Sequence, residues 1–278
     1  MSETTKATSV YAAYWLYRVN RKFARLGEVK REQGKKQFLA ALETRDPSVR
    51  VRGVYSFAGL RADADLMLWL LADDLDALQR LSIALRKSGL GKYLIPVESY
   101  VGVTTPARYD PQHLPAFLSG VPPKKFVSVY PFVKSAEWFL LPYERRRELM
   151  GEHGYVGRRY AVSREKLAAM TEQAAGGSTA AHSTNGATAG QTVGQREVAT
   201  QTSTATATEE GGGVLASTVD AFGLGDYEFI LANESDDPSE LCRMMMDLRA
   251  TEVRRYTKLD TPIFLGRLRE PAEALAAL

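Results

Sequence analysis

Along the first hundred residues the apolar positions alternate between strand-like and helix-like spacing. Val10 to Lys22 (VYAAYWLYRVNRK) is dense in aromatic and β-branched residues and predicts a strand. Glu28 to Glu43 puts Val29, Phe38, Leu39 and Leu42 near one helical face. Val49 to Phe57 alternates as a strand does, and Asp65 to Leu71 (DLMLWLL) is an apolar run of buried-strand length. Asp74 to Lys87 is an amphipathic helix with Asp74 as its N-cap, and Glu98 to Thr104 reads as a closing strand. The order βαββαβ is that of a ferredoxin-like unit.

The order then recurs. Phe126 to Val133 reads as a strand and Pro142 to Met150 as a helix with Pro142 in its first turn. Val214 to Phe222 and Tyr227 to Asn233 are strands around the turn Gly223-Leu224-Gly225-Asp226, followed by a helix from Pro238 to Tyr256 and a short strand from Ile263 to Leu268. Ser56 to Leu70 and Ala221 to Leu231 share one texture: strand, Gly-Leu turn, acidic residue, strand, then an Asp-led helix. This predicts an internal duplication. The fold class is α+β, with two ferredoxin-like repeats (10–105 and 106–270) joined in a dimeric α/β-barrel-type core with helices outside.

Between the helix and second strand of the later repeat lies a tract of Ala, Thr, Gly, Ser and Gln, from Thr171 to Gly213. It has no aromatic residue and only two valines, Val193 and Val198. Too little apolar surface is present to offset the entropy of ordering it, so it reads as a disordered insertion within one repeat.

Composition narrows the chemistry. The 278 residues carry 36 Lys+Arg against 33 Asp+Glu, a net charge of +3, which gives no indication of nucleic-acid binding. No run approaches the about 18 apolar residues that span a bilayer, and the opening MSETTKATSV lacks the pattern of a signal peptide, so a cytoplasmic protein is expected. Cys242 is the only cysteine, which excludes an intramolecular disulfide and a cysteine-based zinc site. The three histidines are His113, His153 and His182, and His182 lies in the low-complexity tract.

Functional side chains are densest from His113 to Tyr160, with Tyr130, Lys134, Trp138, an arginine cluster and His153. His153 follows a predicted helix among Glu152, Gly154 and Tyr155, where it could be a dipole-stabilised cation or a metal ligand. One histidine cannot make a zinc site, but it can hold a haem iron as a single axial ligand. Tyr130 and Lys134 are four residues apart and so share one strand face. Core packing for Tyr130 and Trp138, and a surface position for Lys134, remain open on spacing alone.

The segments HLPAFLSG, VSVYPFVKSAEWFLLPYERRRELMGEHG, ASTVDAFGLGDYEFILANE and DLRATEVRRY resemble the chlorite dismutase superfamily, and within it the actinobacterial-type coproheme decarboxylases. The resemblance spans Val10 to Arg269 apart from the tract, and implies a haem site in the C-terminal repeat. It implies that His153 is the proximal iron ligand (the metal site) and that Glu252 is its carboxylate partner, which would raise imidazole basicity. By position alone, Glu252 could equally be an exposed helix carboxylate paired with Arg249 or Arg255. Tyr130 matches the tyrosine that becomes a radical, Lys134 a cation near the same propionate, and Trp138 a tryptophan at the haem edge. Ala216 stands where chlorite dismutases carry a distal arginine. His113 matches the distal histidine of the alanine types, though in isolation it reads as a loop histidine before Pro115.

The resemblance implies an enzyme that uses hydrogen peroxide to convert two of the four propionates of iron coproporphyrin III (coproheme) to vinyls, giving haem b. Coproheme is then both substrate and redox centre. His113 would take a proton from peroxide, and the Tyr130 radical would remove hydrogen from the propionate carbon. Lys134 would hold the reacting carboxylate. A homopentamer and a transient contact with coproporphyrin ferrochelatase are also implied, with neither nucleic acid nor membrane as partner. The alternatives are chlorite-degrading or peroxidase activity on haem b, against which Ala216 counts for the former, and a non-catalytic haem-binding or transfer protein.

Overall fold

A computed structural model describes residues 9–105, 114–176 and 212–278. Nine strands and eight helices alternate along them. The first half contains β1 (Tyr11–Val19), α1 (Arg21–Ala24), α2 (Glu28–Glu43), β2 (Val49–Ser56), β3 (Leu66–Ala72), α3 (Leu75–Lys87) and β4 (Leu94–Val103). The second contains β5 (Phe126–Lys134), α4 (Ala136–Leu140), α5 (Tyr143–Arg158), α6 (Arg164–Gly176), β6 (Leu215–Asp220), β7 (Phe229–Ser235), α7 (Pro238–Arg249), β8 (Thr257–Leu259), β9 (Phe264–Arg269) and α8 (Pro271–Ala276).

The strands form one antiparallel sheet ordered β7-β6-β4-β1-β3-β2-β9-β5-β8, and a further pairing of β5 with β7 closes eight of them into a barrel. The first four strands run β4-β1-β3-β2 and the later four β9-β5-β7-β6, which is the same path traced twice. The two sets meet along β2–β9, from Val54↔Arg269 to Ser56↔Arg267, and at Val103↔Asp220 between β4 and β6. Closure removes the free sheet edges that would otherwise need covering.

Alternation along each strand sorts side chains between two cores. Inside the barrel Tyr14, Tyr55, Met67, Trp69, Val127, Val129, Ile230, Ala232 and Phe264 pack together. Outside the first four strands, Trp15, Leu66, Leu68 and Leu70 meet Phe38 and Leu42 of α2 and Leu78, Leu81 and Leu85 of α3. Every residue of β3 is therefore buried, which is why its sequence is continuously apolar. Asp74 caps α3 by accepting hydrogen bonds from the N–H groups of Asp76 and Ala77, as its position predicts.

One polar contact crosses the barrel. A register shift between Val51 and Gly53 turns Arg52 inward. Its guanidinium donates to both carboxylate oxygens of Glu234 on β7 at 2.9 and 3.0 Å, with Arg52 Nη1 donating to the Val121 carbonyl. The Lys124 N–H adds a bond of 2.8 Å to Glu234. The Glu234 side chain is fully buried and that of Arg52 only 6% exposed. Burial pushes the Glu234 carboxyl up, opposed by the Arg52 charge.

Several elements differ from the sequence expectation. Strand β1 ends at Val19, where Asn20 caps the short helix α1. Helix α5 runs on to Arg158 through Gly151, Gly154 and Gly157 instead of ending at Met150, and Pro142 is its N-cap. Glycine disfavours a helix interior, but a half-buried stripe at 149–150, 153–154 and 156–157 repeats at helical spacing, so packing overrides propensity. Residues 171–176, assigned to the low-complexity tract, belong to α6, where Thr171 Oγ1 donates to the Ser119 and Leu167 carbonyls at 3.0 and 2.9 Å. Gly212 and Gly213, at its other end, are also described, whereas 177–211, including His182, lie outside the described residues. The helix expected over Pro238 to Tyr256 is broken: α7 stops at Arg249, Thr251 is buried, and a 3-10 turn spans Glu252–Tyr256.

Breaking the cross-barrel pair strands a buried charge. Arg52→Met or Glu234→Gln should each cost about 3–5 kcal/mol, read from urea unfolding; an Arg52→Met/Glu234→Leu double variant should recover much of that. Gly34 in α2 lets residues 89–90 approach so closely that a Cβ there would lie 3.0 Å from Leu90 N and 3.1 Å from the Gly89 carbonyl carbon. Gly34→Ala should therefore lower the melting temperature, although alanine in a helix is ordinarily better by about 1 kcal/mol.

Candidate active site

The outer face of β5, β6 and β7 carries a row of small and polar side chains. Val127 and Val129 point into the barrel, so Ser128 and Tyr130 point out. Thr218, Leu231 and Tyr130 lie opposite one another across β6, β7 and β5, and Ala216, Asn233 and Ser128 form the next row. Ala216 is half-buried and carries only a methyl group towards this face.

Tyr130 is 3% exposed. The Asn233 amide donates to its phenolic oxygen at a long 3.4 Å. Burial raises the phenol well above its usual range, with the Asp260 carboxylate adding to the effect and Arg249 opposing it. Tyr130 therefore keeps its proton across the physiological pH range. Asp260 is itself buried and accepts from Arg249 at 2.7 Å and Arg254 at 2.8 Å, placing a carboxylate shared by two half-exposed guanidiniums within electrostatic reach of the phenol.

At the end of β5, Lys134 folds over two rings: its Nζ lies 4.4 Å from the centre of Trp138 and 5.1 Å from that of Phe132. Burial pulls its pKa down to about 8, against the opposing charge of Glu228, whose carboxylate accepts the Lys134 backbone N–H at 2.7 Å. Trp138 in α4 is 4% exposed and packs with Leu149 of α5 and Val253. His153 is one helical turn beyond Leu149 on the same face of α5.

His153 is the one histidine among the described residues. It sits inside α5, not after the helix, so the helix-end account of it does not apply. Its Nδ1 is buried without a hydrogen-bond partner among the described residues. Burial and, secondarily, the Lys134 charge lower its pKa to about 4, so the imidazole is neutral at physiological pH. A neutral, half-buried imidazole with an unpartnered nitrogen has the donor chemistry of a single axial iron ligand. No cluster of three or more metal-ligating side chains occurs among the described residues.

The remaining expectations divide. The fold brings Lys134 to His153 and Trp138, and puts Tyr130 on the Lys134 face of β5. Glu252 lies beside α5, its N–H donating to Glu152 Oε2 at 3.2 Å, but its carboxylate accepts from Arg145 at 2.6 Å and makes no hydrogen bond with His153. The pairing with Arg249 or Arg255 read from helix spacing does not form, because Glu252 starts a 3-10 turn. His113 lies outside the described residues. No local motif marks Asn233, Asp260 or Arg254, whose partners are set by strand register and chain reversal, and Arg249 pairs with Asp260 instead of Glu252.

Comparisons with known proteins bear on the family and the fold. The chlorite dismutase family profile matches residues 31–176 and 195–269. A coproheme decarboxylase of Mycolicibacterium smegmatis is 38% identical over 222 residues, covering 80% of this chain and 74% of that protein. Among solved structures, chlorite dismutase from Candidatus Nitrospira defluvii in complex with imidazole superposes with a TM-score of 0.70 at 19% identity, over 96% of this chain and 94% of that one. A mutant of that enzyme gives a TM-score of 0.71 at 19% identity with the same coverage, so the fold is shared far beyond the sequence similarity.

The lowered pKa of His153 has a measurable consequence. Between its ordinary value of about 6.5 and the folded value of about 4, the unfolded chain binds a proton that the folded one does not. Neutral His153 therefore favours the fold above about pH 6.5, and this contribution is lost as pH falls through about 4. Its imidazole C–H resonances should titrate near pH 4 by NMR, with assignment from a His153→Gln variant.

Proposed function

The chain belongs to the chlorite dismutase family, and from that membership we propose that it decarboxylates coproheme, the last oxidative step to haem b. The observation that carries this reading is Tyr130: a buried, proton-bearing phenol on the same sheet face as Ala216, one row away, in a chain 38% identical to a coproheme decarboxylase.

Coproheme supplies the redox iron and the propionates that are lost. His153 would hold the iron through its neutral imidazole. Trp138 and Phe132 would wall the site, and Lys134, which retains its charge over much of the neutral range, would neutralise a propionate. The reaction oxidises each of two propionates to a vinyl with loss of CO2, and hydrogen peroxide is the oxidant in this reading. Tyr130 contributes a phenolic hydrogen atom that burial keeps in place until it is removed, with Asn233 orienting the oxygen. His113 would serve as the base towards peroxide.

Glu252 would act on His153 only after leaving Arg145, an exposed pair of the kind that contributes about 0–1 kcal/mol. Ala216 offers no guanidinium, which disfavours chlorite turnover. We also place the chain's working form as a homopentamer of two-repeat subunits (10–105 and 106–270) in the cytoplasm, with transient contact to coproporphyrin ferrochelatase. No helix among the described residues is long and apolar enough to cross a membrane.

Incubation with coproheme and hydrogen peroxide, followed by mass analysis, should show stepwise loss of two CO2. Tyr130→Phe should bind coproheme with near-unchanged affinity and yield less than one hundredth of the first product; normal conversion would exclude the radical role. His113→Ala should slow the stopped-flow reaction with peroxide by 10²–10⁴-fold while leaving the coproheme absorption spectrum of the resting complex nearly intact.

A further inference from the structure

Three arginines follow one another in the first turn of α5, and they are not equivalent. Arg145 is committed to two carboxylates, donating to Glu148 Oε2 at 2.7 Å and to Glu252 Oε1 at 2.6 Å. Arg147 is exposed. Arg146 is half-buried, and its Nε is withdrawn from solvent with no hydrogen-bond partner among the described residues. Nor does any carboxylate among those residues form an ion pair with it.

Helix geometry fixes where this unpaired cation lies. Arg146, Leu149, Met150 and His153 fall at i, i+3, i+4 and i+7, on one face of α5. Leu149 packs with Trp138 and Val253, Met150 lies against the same cluster, and Lys134 Nζ is 4.4 Å from the centre of the Trp138 ring. Arg146 is therefore one turn from the residue that supports Trp138, and about 10 Å along the helix axis from His153. Two side-chain nitrogens of α5 are buried without a partner among the described residues, Arg146 Nε and His153 Nδ1, and they share this face.

An arginine stem can lie along apolar side chains while its head stays in water. Here a donor has been taken out of water as well, a cost that the described residues do not offset. The planar guanidinium has five N–H donors in a fork that matches a carboxylate. We propose that Arg146 is a substrate-binding residue whose guanidinium receives one propionate of coproheme, beside Trp138, while Lys134 meets another. This assignment rests on the coproheme reading above and adds a second cation to it. It places His153 and Arg146 on one helix as the holders of the centre and of one edge of the same macrocycle.

The test is equilibrium binding to the full-length protein without peroxide, of coproheme by absorbance and of iron-free coproporphyrin III by fluorescence. Arg146→Met keeps the stem without the charge and should weaken both about ten- to a hundredfold, and Arg146→Lys should recover part of the loss. His153 cannot ligate the iron-free probe through a metal, so an effect on that probe isolates the carboxylate contact. Melting of the ligand-free protein is a second readout: Arg146→Met should leave it unchanged or raise it, because no native partner is lost. Unchanged affinities, or a loss confined to coproheme, would overturn the assignment. A lowered melting temperature or a failure to fold would mean that the protein itself supplies the partner, and would overturn it too. If the parent binds neither probe, the coproheme reading fails along with it; binding by the parent that is indifferent to Arg146→Met sinks the arginine assignment alone.

Discussion

The Arg52–Glu234 ion pair is the constraint through which the two halves of the barrel depend on each other. Each partner comes from a different half, and each is buried with the other as its main compensation. The β2 irregularity that turns Arg52 inward has no purpose without Glu234, and Glu234 could not be charged inside the barrel without Arg52. Hydrophobic packing would tolerate small shifts of one half against the other, but a two-pronged guanidinium–carboxylate contact does not. It therefore pins the position of β7, and through the β5–β7 pairing it pins the strand that carries Tyr130.

That coupling explains how a buried phenol can be placed on a sheet and still meet residues from helices. Strand β5 has its inner residues in the barrel core and its outer residues in the site, so the core holds Tyr130 in place from behind. Lys134, at the end of the same strand, reaches across to α4 and α5. The acidic and basic groups around Tyr130, by contrast, come from the end of α7 and the segment after it, where Asp260 gathers Arg249 and Arg254. Rigid sheet and adaptable arginine pair thus sit on two sides of one hydroxyl.

Burial does opposite things to the titratable groups here. It holds the proton on Tyr130 and keeps it off His153, while leaving Lys134 poised nearer neutrality than an exposed lysine. A phenol that can give up a hydrogen atom, a neutral imidazole that can bind iron and a cation that can meet a carboxylate are all products of one partly desolvated layer.

Much of the fold was legible in the sequence because period and length are local properties. The doubled order of strands and helices, the fully buried β3 and the Asp74 cap all follow from residue patterns, and the family resemblance over long ordered segments pointed to Tyr130, Lys134, Trp138 and His153, which the fold gathers along β5, α4 and α5. What composition could not convey was where helices continue against their propensity: three glycines hid the length of α5, because its buried stripe exists only against the rest of the protein. Nor could spacing show that Glu252 would leave the helix and bond to Arg145, or that Arg52 would turn inward at an irregular β2. Barrel closure, the ion pair across it and the company that Tyr130 keeps are decided by contacts between residues far apart in the chain. A sequence states what each side chain can do, but only the tertiary structure sets which partner it finds and how much water is removed from it.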